Sequence, residues 1–136
     1  MTIGKSTQDI ILLVGRMLLA VIFVLSGYAK ITNFNNTAVY MAHAGLPQTD
    51  VLLILSIIIE LGGGLLIAVG WQARWAALVI FLYIIPVTLV FHAFWTADSA
   101  HFQSEFNNFF KNIAIMGGMA YVFAVGTGAY GIDNNK

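Results

Sequence analysis

The stretch "LLILSIIIELGGGLLIAVG" runs from Leu52 to Gly70 and is apolar almost throughout, yet Glu60 stands in its middle. At a rise of ~1.5 Å per residue, such a helix crosses most of a ~30 Å hydrocarbon layer. A carboxylate at that depth costs about 2.5–3.5 kcal/mol on insertion scales unless a partner offsets it. The segment therefore predicts a membrane-spanning helix with one face turned to other helices.

The rest of the chain supports a lipid solvent. Of 136 residues, 60% are hydrophobic and 9% charged, with a mean hydropathy of +0.86. A soluble domain carries about 25% charged residues, so this chain cannot cover a water-facing surface. The formal net charge is zero, which gives no reason to expect a nucleic-acid partner. There is no cysteine. Disulfides, thiol relays, iron–sulfur clusters and thiolate-bound zinc are thereby excluded.

Apolar stretches at Ile10 to Ala29, Val51 to Gly70, Trp75 to Trp95 and Phe109 to Val125 each approach a membrane-spanning length. Backbone groups in lipid must be paired within the segment, which selects helices. The linkers are the polar Thr32 to Asp50, a tight "WQAR" turn at Trp71 to Arg74, and Thr96 to Asn108. Gly126, Gly128 and Gly131 end the last span. The expected architecture is all-α, a polytopic membrane protein with four transmembrane helices in one antiparallel bundle, residues 1–136 forming a single domain. Lys5, Arg16 and the apolar run to Ala29 resemble a secretory signal. The run is longer than a signal core needs, so an uncleaved span is expected. Lys5, Arg74 and Lys136 share one side, against Lys30 and Lys111 on the other, which orients both termini toward the cytoplasm.

Helical spacing then sorts the polar residues. Arg16, Ala20, Phe23, Gly27 and Lys30 fall on one face of the first span. Ser56, Glu60, Gly64 and Ala68 form a stripe on the second, where small residues admit a close neighbour. Arg74, Phe81, Ile85, Thr88 and His92 align on the third, with Pro86 expected to bend it. If the spans are centred at one depth, Arg16 and Glu60 lie ~5 Å apart along the axis, and the two are expected to pair. His92 and Lys111 are expected near the outer mouth, with Lys30, Asn108 and Asn112 supporting a polar pocket. The structural alternative is that Arg16 and Glu60 only fix helix register, and that His92 belongs to an aromatic belt with Phe91, Phe94 and Trp95. His43, His92 and His101 match no metal-ligand spacing, so no metal site is expected.

Five pieces of the chain carry a family resemblance: "GRMLLAVIFVLSGYAKITNF" (Gly15 to Phe34), "HAGLP" (His43 to Pro47), "IIELGGGLLIAVGWQARWAAL" (Ile58 to Leu78), "HAFW" (His92 to Trp95) and "NNFFKNIAIMGGMAYVFAVGTGAYGID" (Asn107 to Asp133). In order and spacing the chain resembles the DoxX family of small bacterial membrane proteins. The resemblance implies a four-helix protein of the bacterial inner membrane. It draws attention to Arg16, Gly27, Lys30, Glu60, His92, Lys111 and Asn112. Relatives include a subunit of a thiosulfate:quinone oxidoreductase and a component of a membrane-associated oxidoreductase complex. The resemblance thus implies an oxidoreductase component, with a quinone as the candidate ligand, Arg16, Glu60, His92 and Lys111 as pocket and proton relay, and partner subunits or a homo-oligomer around it. The alternative is a non-enzymatic transporter of small solutes or lipids, or a scaffold for partner enzymes.

Overall fold

The computed structural model describes residues 3–133; Lys136, used above for orientation, lies outside them. Helix α1 (Lys5–Thr32) is followed by a short α2 (Phe34–His43). The second span consists of α3 (Thr49–Ile57), a π-helical turn (Ile58–Gly62) and α4 (Gly63–Val69). Next come α5 (Ala73–Phe91), a 3-10 turn (Phe94–Thr96) and α6 (Phe102–Val125). Among the described residues, four helical segments are long and apolar enough to cross a membrane.

The spans form a closed ring. The first packs on the second, the second on the third, the third on α6, and α6 returns to α1. Small residues set the closest approach. A β-carbon at Gly27 would lie 2.8 Å from the Leu61 backbone nitrogen, and one at Gly64 would lie 3.1 Å from that of Val24. The core of the ring includes Ala20, Phe23, Ile67, Ala77, Ile80 and Met119. Outward-facing positions such as Leu18, Leu25, Leu82 and Tyr121 are large and exposed, as lipid-facing residues should be.

Several local expectations need correction. The polar linker after the first span contains α2, whose Ala38 and Met41 are buried with Leu53 of α3. In α5 the inward residues are Ala73, Ala76, Ala77, Ile80, Ile84 and Thr88, while Arg74 and Ile85 turn outward. The face is rotated because alanines, weak in a hydropathy reading, permit the close packing of α5 against α4 and α6. Trp95 lies in the 3-10 turn rather than in α5, and α6 begins at Phe102, seven residues before the expected Phe109. Helix α5 runs through Pro86 as one element, although proline cannot bond back to the Leu82 carbonyl.

At one end of the bundle the chain is tied together by its termini-proximal segments. Gly70 ends α4 with φ +71, a left-handed conformation that glycine adopts without strain. The backbone of Ile132 and Asp133 bonds to the carbonyls of Val69 and Gly70, and the Asp133 carboxylate accepts from the Gln72 amide. The opposite end, here termed distal, carries α2, the start of α3, the end of α5 and the start of α6.

Candidate functional site

Glu60 is the central residue of the π-turn and only 5% exposed. A π-turn inserts a residue into the helical ladder and is frequent where a side chain must be re-aimed at a functional position. Here it directs the carboxylate into the ring. Lys30 Nζ donates to Glu60 Oε2 at 2.8 Å and to Ser26 Oγ at 2.8 Å. Tyr83 on α5 donates its hydroxyl to Glu60 Oε1 at 2.7 Å. Both carboxylate oxygens are thus occupied by donors from two other spans. An ammonium has three N–H groups; the two used here leave one for a further acceptor.

This triad forms one wall of a cavity of about 370 Å³, within the range of small-molecule sites. Ser26, Asn33, Thr37, Ser56 and His92 add polar atoms to the lining, and Met41, Val87 and Phe91 add apolar surface. Helix α2 closes the distal end, where Tyr40 stacks on Phe91 with ring centroids 5.4 Å apart. His92 is held at the rim by Glu105 of α6, its Nδ1 lying 2.8 Å from Oε2.

The expected pair of Arg16 and Glu60 does not form. Arg16 donates to the carbonyls of Thr127 at 2.6 Å and Tyr130 at 2.9 Å. The reason is the register of the first two spans. Gly27 faces Leu61, so Glu60 is level with position 28 of α1. Arg16 lies 12 residues further along α1, about 18 Å at the helical rise, and well beyond reach. The two spans are not centred at one depth: α4 ends at Val69, level with position 19 of α1, and the part of α1 before it packs beside α6 and the segment that follows α6.

Of the residues proposed for the pocket, Lys30, Glu60 and His92 line the cavity, whereas Arg16, Lys111, Asn108 and Asn112 do not. Lys111 is exposed on α6 and Asn108 half-buried. Asn112 donates to the Thr88 hydroxyl at 2.9 Å, joining α6 to α5. Tyr83 and Glu105 were missed, and Ser56 was expected on the Glu60 stripe but not in the pocket. A phenol inside the apolar run of the third span was the available signal, because a buried tyrosine hydroxyl requires a partner.

The DoxX family model matches residues 11–93. The chain belongs to the DoxX family. The matched region contains every residue that lines the polar cavity, and it ends before α6. Among curated relatives, this DoxX protein is 34% identical over 131 residues to the inner membrane protein YqjF of Escherichia coli, covering 95% of this chain and 94% of the relative. It is 27% identical over 128 residues to the inner membrane protein YphA of the same organism, covering 94% and 91%. No solved structure matches the chain.

Proposed function

We propose that this DoxX protein is a ligand-binding component of an oxidoreductase system in the bacterial inner membrane, and that its ligand is a quinone-class molecule held in the polar cavity. The observation that carries this reading is the Lys30–Glu60–Tyr83 triad on the wall of a cavity within the membrane-spanning bundle. A ring carbonyl is the acceptor that the remaining Lys30 N–H suits. Phe91 and Tyr40 offer ring faces nearby, and Tyr83 and Glu60 form a short hydrogen-bonded path for a proton. His92, tied to Glu105, stands at the other side of the same cavity. With no cysteine in the chain, electrons reach such a ligand from a partner subunit. The inner-membrane names of YqjF and YphA support the location, and Lys5 and Arg74 favour cytoplasmic termini.

The test uses the full chain in lipid nanodiscs, titrated with dimethoxy-methyl-benzoquinone, a quinone headgroup that carries no side chain. Saturable quenching of intrinsic fluorescence is expected. Lys30→Met and Tyr83→Phe should each weaken it about tenfold, the equivalent of ~1.4 kcal/mol. Absence of saturable binding would overturn the reading.

A further inference from the structure

A second cavity of about 250 Å³ adjoins the polar one, and its lining is apolar except for Ser56 and Tyr83. The two share Met41, Ser56, Tyr83, Val87 and Phe91 as walls. Resting on the proposed function, we infer that the pair is one bipartite site for an amphiphile dissolved in the bilayer. The head of the ligand lies against Lys30 and Glu60, and its hydrocarbon chain leaves sideways into lipid between α3 and α5.

The helix packing provides this opening. Helix α4 packs closely on α5, and the π-turn also approaches α5, but the α-carbons of α3 all stand more than 8 Å from those of α5. The second and third spans therefore diverge from the π-turn toward the distal end, and the apolar cavity occupies the resulting wedge. Its outer edge is formed by Leu55, Pro86 and Val90, all exposed on the lipid-facing surface, with Leu55 49% and Val90 39% accessible. Its inner edge is Ile59, the residue before Glu60, and Tyr83, whose hydroxyl bonds to the Glu60 carboxylate. Toward the distal end the wedge is capped by Leu46 and Met41, packed with Leu52, Leu53 and Phe91. A ligand with a polar ring and a hydrocarbon chain matches this division of the walls. A small water-soluble solute would leave the apolar half without a match.

The experiment compares two probes in nanodiscs: the benzoquinone without a side chain, and decylubiquinone, which carries a ten-carbon chain on the same head. Leu55→Trp and Val90→Trp each fill the outer part of the wedge. Decylubiquinone affinity should fall at least tenfold in either variant, while the headgroup probe changes less than twofold. Equal effects on both probes, or no effect on decylubiquinone, would overturn the bipartite site while leaving headgroup binding in place. Failure of the headgroup probe on the unmodified protein would remove the proposed function and this inference with it. Should the tryptophan variants not fold, the unmodified protein is photolabelled with a quinone bearing a diazirine at the chain end. Adducts at Leu55, Pro86 or Val90 are expected, and adducts confined to α1 or α6 would refute the route.

Discussion

Gly27 of α1 lies directly against Leu61 in the π-turn, so closely that a β-carbon there would stand 2.7 Å from the Leu61 β-carbon. This contact fixes the register of the first two spans. It brings Lys30 within 2.8 Å of Glu60 and leaves Arg16 near the opposite end. The chemistry of the cavity thus depends on a residue that has no side chain.

Gly27→Ala should separate the helices, because the atoms that meet the new methyl include Leu61 backbone, which cannot swing away. Overpacking of this kind costs about 1–3 kcal/mol. A lowered thermal midpoint in detergent is expected. Gly15→Ala, where nothing lies within 4 Å, should be neutral or mildly stabilising; equal losses at both positions would count against the register.

Lys30 and Glu60 should be energetically coupled. Removing one partner of a fully buried pair leaves an uncompensated charge, at about 3–5 kcal/mol; with the Lys30 side chain 23% exposed, the cost here is smaller. A double-mutant cycle with Lys30→Met and Glu60→Gln should return at least ~1 kcal/mol of interaction energy. The cycle of Arg16→Met with Glu60→Gln should return less than ~0.5 kcal/mol, as for distant sites. The reverse order would restore the pair that the sequence suggested.

Arg16→Lys should loosen the chain after α6. The guanidinium reaches two carbonyls three residues apart, Thr127 and Tyr130, and a lysine ammonium is a poor replacement for a planar fork. Faster amide exchange across residues 126–131 is expected, with little change at the cavity. Unchanged exchange in that segment would show that Arg16 does not hold it.

In the loop before α6, the Asp98 carboxylate accepts from the His101 ring at 2.7 Å and from the His101 amide at 2.9 Å. The ring bond first, and the backbone bond second, hold Asp98 below its ordinary value of 3.8. A depressed folded value means that this contribution is complete above the unfolded pKa. It is lost as pH falls from there through the folded value. Carboxyl NMR titration should show the low value, and His101→Ala should raise it.

Much of this architecture was legible in the sequence. Length, hydropathy and the alternation of apolar runs with polar linkers required helices across a bilayer, since no other backbone satisfies its own hydrogen bonds there. The period of α1 put Arg16, Ala20, Phe23, Gly27 and Lys30 on one face; the first four are its buried residues and Lys30 is half-buried. Glu60 was conspicuous because a carboxylate in lipid needs a reason. What one-dimensional patterning could not supply was depth. Whether Arg16 or Lys30 met Glu60 depended on a sliding register that only helix contact at Gly27 and Gly64 sets. The π-turn, the divergence of α3 from α5, and the placement of Tyr83 opposite Glu60 likewise arise from packing between spans. Periodicity within a helix says which residues share a face; only the neighbouring helix decides which of them touch.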